Sequence, residues 1–208
     1  PFTLCCQAMI IFRDNFLLPT TSVDSIKGRY KQDKYKIAME DSGYLWSSYN
    51  TCNQDELLKD IYEDKILECL KNIPVSTSRG YLQNPIISYW VQIYDDKAAG
   101  GHPIHDHWTP DCMISFVHFV KVPKQNCFHF KSEKKQYPKQ EDGDIIFFPS
   151  WATHGVDPVV SCSDRIVVAG NIVVSSFISK ESNYQGRRWK LKKSKDSYLW
   201  ESTLLTNR

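Results

Sequence analysis

Gly100-Gly101-His102-Pro103-Ile104-His105-Asp106-His107 sets three imidazoles and a carboxylate close together, directly after a strand-like run. On a strand successive side chains alternate between faces, so His105 and His107 point one way and Asp106 the other. Two imidazoles on one face can grip one metal ion, and neutral imidazole suits iron, copper, nickel and zinc. A third ligand has to come from elsewhere in the chain. His154 fits that need: it lies in Phe148-Pro149-Ser150-Trp151-Ala152-Thr153-His154-Gly155, just past the apolar run Asp144-Ile145-Ile146-Phe147-Phe148, where Pro149 would end a strand at the rim of a barrel. Taken singly, each histidine is more often a surface or hydrogen-bonded one. A close pair with one distant partner is the pattern of a built site.

Working outward, Pro85 to Tyr94 alternates Ile87, Tyr89, Val91 and Ile93 with Ser88, Trp90, Gln92 and Tyr94. This predicts a strand with one greasy face and one mixed face, the second lining a cavity unless Trp90 and Tyr94 are simply large core residues. Further strands are expected at Met113 to Val120, Cys127 to Lys131, Asp144 to Phe148 and Arg165 to Val174, punctuated by Pro123, Pro138, Gly143 and Pro158. Short strands with frequent turn signals mean a sandwich or barrel. The fold class read here is therefore mainly β with flanking helices, a double-stranded β-helix or jelly-roll, cupin-like barrel, over residues 84–176.

Upstream, Leu4 to Phe12 reads as a buried strand ended by Arg13-Asp14-Asn15, and Thr20 to Asp24 can cap a short helix. Arg29 to Ala38 alternates as a half-exposed strand would. The clearest helix starts at Asn53 or Asp55, and Leu57, Leu58, Ile61, Tyr62, Ile66, Leu67, Leu70 and Ile73 form one apolar stripe before Pro74. Such a stripe packs on the outside of a sheet. It carries no functional signal.

The chain of 208 residues suffices for one domain over 1–208, with an added basic and aromatic arm over 180–208. A net charge of +2 does not by itself imply a nucleic-acid partner. Seven scattered cysteines form no CxxC pair, which argues against a disulfide framework or a zinc ribbon and for a reducing compartment. No apolar run is long enough to span a membrane, and the start lacks the basic leading region of a signal peptide. The expected location is the cytoplasm, or a host cytoplasm for a phage-encoded chain. In the arm, Arg187, Arg188, Lys190, Lys192, Lys193 and Lys195 interleave with Trp189, Leu191, Tyr198 and Trp200. That mixture suits a phosphate backbone or stacked bases, though a solvated helix or arm is the commoner outcome of such a sequence.

Beyond His154 comes Arg165, opening the apolar strand Arg165-Ile166-Val167-Val168-Ala169-Gly170-Asn171-Ile172. An arginine facing a metal pocket can hold a carboxylate through two charge-assisted bonds. With Gly143-Asp144-Ile145-Ile146-Phe147-Phe148-Pro149-Ser150-Trp151-Ala152-Thr153-His154 and Ser115-Phe116-Val117, the order of motifs resembles the iron(II)/2-oxoglutarate dioxygenases, in particular those of phage and marine bacterial genomes, and more distantly the prolyl hydroxylases. The resemblance covers residues 84–176. It implies a metal centre of His105, His107 and His154, a 2-oxoglutarate cosubstrate on Arg165 with Tyr94, Gln92 and Asn171 nearby, and Trp108, Trp151 and the residues Gly100 to Pro103 at the mouth gripping a small-molecule or protein side-chain substrate. The implied reaction is oxidative decarboxylation of 2-oxoglutarate to succinate, coupled to hydroxylation of a substrate C–H bond.

Two departures qualify the resemblance. The family places a carboxylate where His107 stands, so the chain uses three histidines, recruits Asp111 from the following loop, or leaves one position weak. A tyrosine common after the Ser-Gly-Val of the family is replaced by His118 or Phe119. Arg165 has an internal alternative as well, since Asp144 or Asp157 can pair with it. A cupin-type metalloprotein without 2-oxoglutarate, with Asp111 as ligand, fits the same spacing, as does a noncatalytic barrel that binds without reacting.

Overall fold

The computed structural model describes residues 9–31, 46–48, 56–72, 85–94, 101–108, 112–158, 165–174, 187–193 and 198–204. A six-stranded antiparallel sheet forms its frame. Its strands are β1 (Phe12–Asn15), β2 (Trp46–Ser47), β3 (Pro85–Tyr94), β5 (Cys112–Lys121), β8 (Asp144–Pro149) and β10 (Arg165–Val174), in the order β1-β8-β5-β10-β3-β2. Facing it is a four-stranded sheet of β4 (His102–His105), β6 (Phe128–Lys131), β7 (Lys135–Gln136) and β9 (His154–Val156), in the order β4-β9-β6-β7. Two facing antiparallel sheets with helices on one outer side make the expected double-stranded β-helix.

Period-two alternation sorts the large sheet's side chains into two cores. Ile87, Tyr89, Val91 and Ile93 of β3, Ile145 and Phe147 of β8, and Ile166, Val168 and Ile172 of β10 face the helices. Their neighbours Trp90, Tyr94, Ile146, Phe148, Val167 and Ala169 face the small sheet and meet Cys127, Phe128 and Phe130. Phe119, Phe128, Phe130 and Phe148 are buried to 2% exposure or less. Each such burial stabilises by roughly 1.5–3 kcal/mol. All six residues of β8 are buried, because that strand is covered on both faces.

Helix α1 (Thr20–Lys31) and helix α2 (Glu56–Asn72) cover the outer face. Leu58, Tyr62, Ile66, Cys69 and Leu70 recur at three- and four-residue steps along α2, and all are buried in the outer core. Tyr62 donates its hydroxyl proton to Nδ1 of His118 on β5, whose Nε2–H donates to the Phe16 carbonyl at 3.0 Å. Lys65 meets Asp14 at 2.9 Å and holds its carboxyl below the usual range, so α2 is tied to β1 as well.

Three local expectations differ from the structure. Arg13-Asp14-Asn15 does not end a strand but belongs to one: β1 runs beside β8 from Phe12 opposite Phe147 to Asn15 opposite Asp144. Among the described residues it is an edge strand, paired through backbone only on one side, so polar side chains can lie along it; Arg13 reaches the Lys139 carbonyl at 2.8 Å. Residues 29–31 are helical rather than strand-like, since α1 continues through them once Ile26 anchors it in the outer core, and the rest of that expected strand lies outside the described residues. The basic and aromatic tail forms neither a helix nor an irregular arm but an antiparallel pair, β11 (Arg187–Lys193) with β12 (Tyr198–Leu204). The alternation Arg188-Trp189-Lys190-Leu191-Lys192 has the period of a strand. Of the expected strand Leu4 to Phe12, residues 4–8 lie outside the described residues, and of the rest Phe12 alone is in a strand, as the first residue of β1.

Candidate metal centre

His105 ends β4 and His154 opens β9, and the two are direct register partners in the small sheet. His107 follows where β4 has already stopped. The chain turns there because the Asp106 carboxylate accepts a hydrogen bond from Trp108 N at 3.2 Å, and His107 N donates to the Ser150 carbonyl at 2.9 Å. His105 and His107 thus share a side through a turn, and not through the strand alternation that the sequence suggests. One ligand atom from each of His105, His107 and His154 falls within a group spanning 4.8 Å, with His154 buried and the others half-buried.

The ring orientations suit metal binding. His105 Nδ1 lies 2.8 Å from the Pro103 carbonyl and His154 Nδ1 lies 2.8 Å from the Ala152 carbonyl. A carbonyl only accepts, so each Nδ1 carries the proton and each Nε2 keeps its lone pair, the arrangement that holds ligating histidines in place. Phe148 and Phe128 flank the His154 ring at 5.0 and 5.5 Å, and Trp90 stands 5.8 Å from that of His107. Burial pushes all three imidazoles below their ordinary range, His107 to about 4 with further lowering from His105 and His102. The imidazoles are therefore neutral near pH 7, as metal-ligating histidines must be.

The cavity beside the triad is lined by Trp90, Gln92, His102, Ser115, Val167 and Arg165, among others. Arg165 follows the parity of Val167 and Ala169 on β10 and is 1% exposed. Its guanidinium carbon lies 4.3 Å from the centroid of the Tyr94 ring, on the residue directly opposite it in β3. The two acids considered as partners for it are engaged elsewhere: Asp144 with Arg13 at 3.6 Å, and Asp157 with Lys135 and Tyr137.

Other expected site residues fall at different distances from the cavity. Gln92 lines it, and Tyr94 donates its hydroxyl proton to Gln92 Oε1 at 3.4 Å. Asn171 accepts a hydrogen bond from the cavity residue Ser115 at 2.9 Å but is not itself in the lining. Trp108 is 48% exposed, and Trp151 packs against the inner core; neither lines the cavity. His118 points away, into the outer core. Asp111 lies outside the described residues. His102, expected with residues 100–103 at the mouth, is part of the lining itself, with its ring centroid 4.3 Å from that of His105. Its closeness along the chain to two other histidines, His105 and His107, was the available signal.

The sequence matches no protein-family model and no curated protein sequence. The structure is similar to solved structures. A viral collagen prolyl hydroxylase from Paramecium bursaria Chlorella virus-1 shares 15% identity, over 83% of this chain and 93% of that one, with a TM-score of 0.53. A prolyl-4-hydroxylase from Pseudomonas putida shares 14% identity, over 79% and 92%, with a TM-score of 0.54. HygX from Streptomyces hygroscopicus, solved with nickel and 2-oxoglutarate bound, shares 8%, over 86% and 90%, also with a TM-score of 0.54. At these identities the likeness is one of fold.

Proposed function

We propose that the chain is an iron(II)- and 2-oxoglutarate-dependent dioxygenase that hydroxylates a substrate C–H bond. The observation that carries this reading is one cavity bounded by three convergent imidazoles and by a buried arginine. Metal–nitrogen bonds of roughly 2.0–2.1 Å are within reach of three donors so closely grouped, and imidazole is a good iron ligand, so the residues fit the ion. The fold neighbours add support, since HygX holds nickel and 2-oxoglutarate.

In this reading His105, His107 and His154 hold the ion, and Arg165 takes the far carboxylate of the 2-oxo acid. Iron with the 2-oxo acid and dioxygen supplies the oxidising power, with succinate and carbon dioxide as by-products. The protein's part is placement. The Pro103 and Ala152 carbonyls fix the His105 and His154 rings, and the Tyr94 ring supports the Arg165 guanidinium. Phe128, Phe148 and Val167 make the walls apolar, which strengthens the charge interactions inside and keeps water from competing. Gln92 and Ser115 offer hydrogen bonds along the cosubstrate.

Anaerobic titration of the protein with iron(II) and then 2-oxoglutarate tests the assignment. A weak visible charge-transfer band that needs both additions is the expected result. Iron binding without any response to 2-oxoglutarate would place the chain with cupin-type metalloproteins, and binding of neither would leave a noncatalytic barrel.

A further inference from the structure

Residues three apart on a regular strand face opposite sides. His102 and His105 break that rule. In β4 against β9, His102 is opposite Val156 and His105 opposite His154, so three steps on one strand match two on the other. The extra residue is a bulge, a device that re-aims a side chain beside a site. It brings His102 back to the cavity side, with its ring centroid 4.3 Å from that of His105. Gly101 makes this path possible: a Cβ there would lie 1.9 Å from the Val156 carbonyl oxygen.

The two rings also share an anchor. His102 Nδ1 lies 3.1 Å from the Pro103 carbonyl oxygen, the same atom that receives the His105 Nδ1–H. His102 therefore carries its proton on Nδ1 and its lone pair on Nε2, as His105 does.

We propose that His102 supplies a fourth imidazole nitrogen to the ion held by His105, His107 and His154. The inference rests on the metal centre of the proposed function and not on its cosubstrate. His102 stands outside the tight group formed by the other three, so bonding requires its ring to turn toward the ion. Among the described residues the ligand set is then nitrogen only. An ion held by neutral donors keeps its full double charge, which favours an anionic ligand alongside it.

Copper(II) bound to the full-length chain, measured by pulsed electron paramagnetic resonance, counts the coupled imidazoles directly. Four are expected; three would overturn the proposal. Cobalt(II) titration gives the second readout, with His102→Ala weakening binding on the order of tenfold or more and shifting the visible ligand-field bands. His129→Gln, a buried histidine outside the cavity, should leave both unchanged. If His102→Ala does not fold, the count on the unsubstituted chain decides alone. Unchanged cobalt affinity and bands in His102→Ala, with weakened 2-oxoglutarate binding, would overturn the proposal and leave the oxygenase reading standing. Four coupled imidazoles with no response to 2-oxoglutarate would do the reverse.

Discussion

His105 and His154 face each other as registered partners of β4 and β9, with ring centroids 4.4 Å apart. Both belong to strands, and each ring is fixed by a backbone carbonyl two residues before it. As the proposed ligand pair, they are set by the ladder before any ion arrives. Its loss should be correspondingly costly.

In the proposed centre, replacing either histidine by alanine removes one of few metal bonds. His105→Ala and His154→Ala are each expected to lose retained iron through gel filtration, read by metal analysis, with far-ultraviolet circular dichroism unchanged. His107→Ala should behave alike. Full iron content in that variant, together with loss in Asp111→Ala, would transfer the third position to Asp111.

Arg165→Lys keeps the cation but loses the planar fork. Binding of 2-oxoglutarate, followed by the anaerobic charge-transfer band, should weaken by about 1–3 kcal/mol while iron affinity holds. An unaltered cosubstrate affinity would count against the carboxylate role of Arg165.

The Tyr62 hydroxyl is fully buried against His118, and burial pushes it well above its ordinary range, so it remains a donor. Tyr62→Phe leaves His118 Nδ1 without that donor in the outer core. Chemical denaturation should show a loss of about 1–3 kcal/mol. A change below a few tenths of a kcal/mol would mean that the pair contributes nothing net.

Acid should destabilise the fold through the same histidine. Burial holds His118 down to about 4 from an ordinary 6.5, so between those values the unfolded chain binds the extra proton and the folded chain does not. Stability is then fully present above about pH 6.5 and falls as pH drops toward 4, by up to about 1.4 kcal/mol per pH unit for one group. The cavity histidines add a slope of the same sign. Urea midpoints between pH 7 and 4.5 should therefore fall less steeply in His118→Gln than in the unsubstituted chain, and equal slopes would refute the assignment.

Gly170 sits where β10 crosses Phe116 and Ser88; a Cβ would lie 2.3 Å from the Phe116 ring and from the Ser88 carbonyl. Since the carbonyl belongs to backbone, it cannot move aside as a flexible side chain would. Gly170→Ala is expected to cost about 1–3 kcal/mol or more, seen as a lower melting temperature. A variant as stable as the parent would show that the strands can separate locally at no cost.

Much of this protein was legible along the chain because its strands keep local rules. The alternation in Pro85 to Tyr94 separates the two cores correctly, the α2 stripe names Leu58, Tyr62, Ile66 and Leu70 as buried although its Leu67 is exposed, and the order His105, His107, His154, Arg165 marks the cavity. Period and burial are properties of single segments, so a single sequence carries them. Edge pairing and register are not. The polar β1 became a strand only because β8 offered its open edge, and the basic tail became a hairpin only by pairing with itself. His102 turned inward only because β4 and β9 slip by one residue where Gly101 lets the backbones close. Those outcomes depend on hydrogen bonds between distant segments, whose partners no local pattern names, and so the tertiary structure alone decided them.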